Sequence, residues 1–238
     1  MRAEAQSTVL TGPLRRQLRR EGLLITPEKR SASYLDLYKF KPDLVVDVGV
    51  HLGTPDLYDA YPDAKFILID PREEVADQLA IRPKNYEIFC CGAGAEDGTL
   101  ELRIPHTRRG EDAAMAGFRE MTGLMAMRVK EVATRNVPIR RLDDIMAGFP
   151  GKVGLKIDTE GFELEVLQGA HETLDRCEFV LLELSLTPRF AGLAPPSAIT
   201  CLLASYGLEL RDILRQPGDG RGGPIPRYID ALYTRWPG

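Results

Sequence analysis

The chain has 238 residues, with 31 Lys and Arg against 35 Asp and Glu, for a formal net charge of −4. Its 44% hydrophobic and 28% charged content is that of a globular protein and excludes wholesale disorder, and the length suits one α/β domain with a small appendage. No apolar run reaches the ~18 residues needed to cross a bilayer. The start, MRAEAQSTVLTGPLRRQLRR, lacks the apolar stretch and cleavage site of a secretory signal, and the mild acidity argues against nucleic-acid binding.

In chain order, residues 1–40 read as an N-terminal helical extension. Arg15, Arg16, Arg19 and Arg20 give it a solvated basic helix, and SYLDLYKF makes a short helix before Pro42. From there to residue 238 a strand–helix alternation runs. DLVVDVG (43–49) is a continuous apolar strand of the kind buried on both faces of a parallel sheet. Thr54-Pro55 reads as the cap and first turn of a helix with Leu57, Ala60 and Tyr61 inward. AKFILID (64–70) is the second strand, and Pro71 starts a helix bearing Val75, Ala76 and Leu79. NYEIFCCGAG (85–94) reads as a third strand and TLELRI (99–104) as an extra one.

Residues 105–137 break the rhythm. They are polar, basic and rich in methionine, which predicts a lid-like insert. IRRLDDI (139–145), VGLKIDTEG (153–161), the helix ELEVLQGA (163–170), the strand EFVLLELSL (178–186) and a helix over 196–207 restore the alternation. LELRDILRQ and RYIDALYTR predict a closing antiparallel hairpin. Cys90, Cys91, Cys177 and Cys201 form no C-x-x-C pair, so neither a zinc site nor a disulfide framework is expected. They read as small core residues in a reducing cytoplasm.

Repeated β–α units predict a mostly parallel sheet with helices on both faces, and ligands in such sheets bind beyond the carboxyl ends of the strands. The first strand ends D-V-G-V-H-L-G. His51 stands where a dinucleotide fingerprint has its second glycine, and no G-K-[ST] follows, so the loop suits a ligand without phosphates. Asp70 ends the second strand, where a carboxylate accepts hydrogen bonds from ribose hydroxyls or, alternatively, caps a helix ahead of Pro71. Asp158 and Glu160, two apart on an extended chain, face one way, and Glu183 lies inside an apolar run where a lone carboxylate is costly.

Asp47-x-Gly49-x-x-x-Gly53, Asp70-Pro71, the turn around Gly92 and Gly94, LDD at 142–144 and above all LKIDTEGFELEVLQGA (155–170) resemble the FkbM-type methyltransferases over roughly residues 43–186. The resemblance implies an α/β class I methyltransferase (Rossmann-like) fold, with a mostly parallel seven-stranded sheet and the C-terminal hairpin. It implies S-adenosylmethionine as cofactor and methyl transfer to a hydroxyl of a saccharide or secondary metabolite. The cofactor residues would be Asp47, Gly49, His51, Gly53, Asp70, Gly92 and Ala93; the family commonly has Asn where His51 stands. Asp158 and Glu160 would be catalytic. Asp158, Glu160 and Glu183 would hold Mg²⁺ if one is used, unless Lys156 or an arginine supplies the compensating charge. The insert matches no motif of the family, so the acceptor is not implied. An amine or carboxyl acceptor and a non-catalytic cofactor-binding protein are the alternatives. His51 and the lack of a Tyr-x-x-x-Lys pair disfavour an NAD(P)-dependent reductase. A cytoplasmic enzyme acting on a small molecule, with no membrane span and room for homo-oligomerisation, completes the expectation.

Overall fold

The computed structural model describes residues 12–22, 28–108, 110–216 and 226–236. α1 (Gly12–Arg20) buries none of its residues. The rest of the expected extension before residue 28 and the loop at 217–225 lie outside the described residues. α2 (Ala32–Leu35) continues into a single 3₁₀ turn and seats Leu35 on the domain.

The alternation then follows as β1 (Leu44–Val48), α3 (Pro55–Ala60), β2 (Lys65–Ile69), α4 (Val75–Gln78) and β3 (Tyr86–Phe89). Four elements make the second sheet and its connections: β4 (Gly92–Gly94), β5 (Gly98–Thr107), β6 (Gly110–Glu111) and, after α5 (Gly123–Ala126), β7 (Glu131–Arg141). α6 (Leu142–Met146), β8 (Val153–Ile157), α7 (Glu163–Gln168), α8 (His171–Asp175), β9 (Cys177–Ser185), α9 (Pro196–Ser205), β10 (Leu208–Arg215) and β11 (Tyr228–Arg235) complete the chain. Among the described residues no helix is long and apolar enough to cross a membrane.

The main sheet has seven strands in the order β10-β11-β9-β8-β1-β2-β3. β9, β8, β1, β2 and β3 are parallel, and the β10–β11 hairpin closes the edge antiparallel. Strand order reverses between β1 and β8, so the carboxyl ends of these two strands open a crevice.

Side chains alternate across β1, which explains both cores. Val46 and Val48 pack with Ile67, Leu155, Val166 and Leu167 on one face, and Val45 packs with Phe66, Leu57 and Phe179 on the other. Asp47 shares the Val45 face and is therefore buried beneath α3.

Three expectations change. The run 85–94 is two strands, because the chain leaves the main sheet after Phe89 and β4 joins β7 in a second sheet of order β4-β7-β5-β6. The helix expected from Pro71 starts only at Val75; before it, Asp70 and Arg72 pair with each other. Cys91 and Cys177 are buried, but Cys90 and Cys201 are exposed, so two of the four are not core residues; all four are free thiols.

The segment 105–137 takes its shape from β5 and β7, which pair from Gly98–Ile139 to His106–Glu131. Between them the chain returns to the domain. Gly117 bridges Arg103, and Met121 bridges Phe190. Arg119 donates to the Gly161 carbonyl at 2.8 Å and pairs with Glu165.

Candidate active site

A cleft of about 910 Å³, counting the part open to solvent, lies over the carboxyl ends of β1, β2, β8 and β9 and is roofed by Ala113–Phe118. Gly49, His51, Asp70, Gly92, Ala93, Asp158, Glu160 and Glu183 all line it, so residues from five separate stretches of sequence meet in one place.

Gly49 has φ of 79°, and a Cβ there would lie 1.8 Å from the Asp158 carbonyl oxygen. The glycine is required by the approach of β8, whatever the ligand. Gly53 does not line the cleft. It closes the turn by donating to the Val50 carbonyl, and a Cβ would meet the Ile81 carbonyl at 2.7 Å.

Asp47 does not line the cleft either. It is wholly buried, forms an ion pair with Lys156 at 2.9 Å, and accepts from Thr54 Oγ1 at 2.9 Å and Tyr58 OH at 3.1 Å. Asp47 and Lys156 sit opposite one another in adjacent parallel strands, which is why they meet. This pairing corrects two expectations. Asp47 braces the β1–α3 loop and does not reach into the cleft, and the Thr54 hydroxyl turns to Asp47 and does not cap α3. Lys156 also donates to the Gly49 carbonyl at 2.7 Å. Burial lowers its pKa, yet Asp47 and Asp158 outweigh burial and leave it raised, so the ammonium stays charged.

Asp70 is no cap. Oδ1 accepts from the Arg72 N–H at 3.1 Å and Nε at 2.9 Å, and Oδ2 from the His51 N–H at 3.0 Å and Arg72 Nη2 at 2.9 Å. Four bonds occupy the roughly four lone-pair positions of a carboxylate. The guanidinium is 2% exposed, and its Nη1 has no partner among the described residues. His51 is held at φ 52°, a left-handed conformation uncommon outside glycine. Burial, then Arg72, holds its imidazole below the usual value, so it is neutral near pH 7.

The loop after β8 wraps around the Glu163 carboxylate, which accepts from Thr159 N–H at 3.2 Å, Thr159 Oγ1 at 3.2 Å and Gly161 N–H at 3.0 Å. Glu160 takes φ of 52° inside this loop. Asp158 and Glu160 thus reach one cleft through a left-handed turn, and not through the extended geometry read from their spacing. Such strained residues concentrate at functional sites.

Asp158, Glu160 and Glu183 each present an oxygen within 4.8 Å of the other two. Arg189 compensates two of them, Glu160 and Glu183, while Lys156, paired with Asp47, lies 4.0 Å from Asp158. Arg189 binds Glu160 Oε2 at 2.6 Å and also pairs with Glu183 Oε1. Burial, then Asp158, raises the Glu183 carboxyl to about 7 although Arg189 pulls the other way, and burial and Glu183 raise Glu160 well above the ordinary range. The Mg²⁺ expectation meets a site in which Arg189 already holds one oxygen of Glu160 and one of Glu183.

Sequence reasoning missed Arg189, Arg215 and Tyr228. Arg215 and Tyr228 come from the hairpin, and Arg215 pairs with Asp230 at 2.9 Å. The only signal for them was indirect, in the burial cost of Glu183.

The strand order, crevice and hairpin are those of the class I methyltransferases. The structure matches a methyltransferase FkbM from Methylobacillus flagellatus KT with a TM-score of 0.53 at 16% identity, over 88% of this chain. This chain covers 48% of that protein, about half of its length. The magnesium protoporphyrin IX methyltransferase of Synechocystis PCC 6803, solved with bound S-adenosylmethionine, matches at TM-score 0.46 and 10% identity, over 86% of this chain and 76% of that one. No curated protein matches. The methyltransferase FkbM domain matches residues 47–219. The chain belongs to the FkbM methyltransferase family.

Proposed function

We propose that this chain is an S-adenosylmethionine-dependent O-methyltransferase acting on a hydroxyl of a small saccharide or secondary metabolite in the cytoplasm. The observation that carries the reading is the convergence of Asp158, Glu160 and Glu183 on the cleft that Gly49, His51, Asp70, Gly92 and Ala93 line. The cleft fits the cofactor by charge: its strand ends are acidic, and both arginines that line it are paired with carboxylates. A ligand carrying a sulfonium and an ammonium and lacking phosphate suits such walls. Bound there, S-adenosylmethionine supplies a methyl group on a positively charged sulfur.

The chain's own work is alignment and proton handling. Gly49, His51 and Asp70 hold the cofactor end, and Gly92 and Ala93 form the wall opposite. Asp158 is the least committed carboxylate, with its side chain 39% exposed. It takes the hydroxyl proton as the oxygen–carbon bond forms and the sulfur keeps the electron pair. Glu160 and Glu183, fixed by Arg189, orient the acceptor. The insert at 105–137 acts as the lid, and its Ala113–Phe118 stretch excludes water. Most of the acceleration comes from in-line positioning.

The test is S-adenosylhomocysteine binding by calorimetry, followed by its release from S-adenosylmethionine with panels of hydroxyl, amine and carboxyl acceptors. Asp158→Asn is expected to lower turnover at least about 10²-fold, the lower end for a lost acid–base group, with cofactor affinity nearly unchanged. Near-normal turnover would leave only the cofactor half of the reading.

A further inference from the structure

The three convergent carboxylates pose a charge problem, and the surrounding residues answer it. A divalent ion would draw oxygens of Asp158, Glu160 and Glu183 onto itself at about 2.0–2.6 Å. Two of those three residues are already joined by one group. Arg189 bridges Glu160 and Glu183, and its side chain is 5% exposed. The guanidinium lies over the Tyr228 ring at 4.4 Å and the Phe190 ring at 5.2 Å from their centroids. Its backbone is fixed on both sides: the Arg189 N–H donates to the Thr187 carbonyl at 2.8 Å, and the Arg189 carbonyl accepts from the Thr122 N–H at 2.8 Å. The second oxygen of Glu183 faces Arg215 at 3.7 Å, and Arg215 in turn holds Asp230, which Arg30 also reaches at 3.3 Å.

We infer that Arg189 is the resident cation of this cleft, standing where a divalent ion would be needed, and that the site works without a metal. The consequence for catalysis rests on the methyl-transfer reading above; the charge argument does not. A metal ion seated on Glu160 and Glu183 would meet a buried positive charge that keeps its proton at any working pH, and like charges at contact distance in a buried site repel strongly. To draw Glu160 Oε2 and Glu183 Oε1 onto itself, the ion would have to displace the Arg189 side chain from both carboxylates and from its two rings. Arg189 is accordingly a positioning residue. It holds Glu160 and Glu183 at fixed places on the cleft wall, a role a metal fills in sites where carboxylates converge without an internal partner.

The experiment reads metal binding directly, on the full chain, with Mn²⁺ alone as probe and paramagnetic resonance as detector. The wild-type protein is expected to show no saturable Mn²⁺ site up to millimolar concentrations, and its turnover is expected to survive chelator. Arg189→Gln removes the internal cation and leaves three carboxylates facing one another. It is expected to gain a saturable Mn²⁺ site at least about tenfold tighter than any wild-type binding, and Glu183→Gln in that background is expected to abolish it. Saturable Mn²⁺ binding by the wild type that Asp158→Asn removes would overturn the inference. So would a folded Arg189→Gln protein that binds no Mn²⁺. Should Arg189→Gln not fold, Arg189→Met removes the charge while keeping a side chain against the two rings. It must gain the same Mn²⁺ site, and a folded Arg189→Met protein without one overturns the inference. S-adenosylhomocysteine binding measured in the same samples separates the two ideas. Its absence in the wild type sinks the methyltransferase reading and leaves the Mn²⁺ result to decide the role of Arg189.

Discussion

At the residue scale, the cleft is a set of buried charges whose partners fix their behaviour. Asp70 is saturated, so ribose hydroxyls reach its carboxylate only by taking the two places now held by Nε and Nη2 of Arg72. The bonds from the His51 and Arg72 N–H groups remain and keep the carboxylate aimed. Asp70→Asn removes the charge while keeping the shape, and S-adenosylhomocysteine binding is expected to weaken by about 1.5–3 kcal/mol, the range for hydrogen bonds to a charged group. Calorimetry on the folded variant checks this, its melting temperature being expected to fall because the buried Arg72 loses its charge partner. Glu183 gives a pH signature. Its carboxyl titrates near 7 in the folded chain against 4.5 for the free group, burial being the main cause. The native state therefore holds a proton that the unfolded chain has lost across that window. The associated stability is complete below the window and falls as pH rises through it. Thermal melts from acid to neutral pH are expected to show this decline, and Glu183→Gln is expected to flatten it. An unchanged slope in the variant would mean that another group carries the titration.

At the element scale, the β5–β7 arm decides how the cleft is covered. Its roof, Ala113–Phe118, hangs between two fixed points: the Arg103–Gly117 bridge on one side and the Arg119 contacts to Gly161 and Glu165 on the other. Arg103 and Gly117 exchange both backbone hydrogen bonds, at 2.9 and 3.1 Å. The stretch before Gly117 is less anchored: Asp112 donates to Pro105, and a short 3₁₀ turn follows. Hydrogen exchange is expected to be fast over Ala113–Ala116 in the free protein and to slow on binding S-adenosylhomocysteine, while Gly117 and the β5–β7 ladder stay protected throughout. Uniformly slow exchange in the free protein would make the insert a rigid wall. α7 and α8 show the same economy in bracing. Asp143, from the LDD run, accepts from the Thr173 N–H and Oγ1, both at 2.9 Å, and so anchors the start of α8.

At the scale of the whole molecule, the seven-stranded sheet gathers acid at one edge. Asp70, Asp158, Glu160 and Glu183 line a single cleft of a chain whose net charge is only −4. Among the described residues, both arginines that line it are paired: Arg72 is forked onto Asp70, and Arg215 is held by Asp230. A phosphate entering there would meet carboxylates and paired guanidinium groups. NADPH is therefore expected to show no saturable binding in a fluorescence titration, whereas S-adenosylhomocysteine, which carries no phosphate, is expected to bind. Micromolar NADPH affinity would revive the reductase alternative. The β10–β11 hairpin matters for the same reason. It brings Arg215 and Tyr228 against Glu183 and so completes the charge balance at the far end of the cleft.

What the sequence by itself determined is the parallel frame and the strand ends. Continuous apolar runs such as LVVDV, FILI and FVLLELS leave little choice but strands buried on both faces, and polar residues that end such runs fall at one edge of the sheet. That is why Gly49, Asp70, Asp158 and Glu183 were legible as neighbours. The family resemblance carried Gly92 and Ala93. Only the tertiary structure decided which charges pair. Local spacing fixes the face of a strand, but partner choice depends on strand order and loop path. Lys156 meets Asp47 because β8 lies beside β1, and Arg189 meets Glu160 because the chain turns back after β9 over the loop that follows β8. The break of 85–94 into two strands was hidden for the same reason: residues of β4 find partners in β7, more than forty positions away, and no local pattern encodes that.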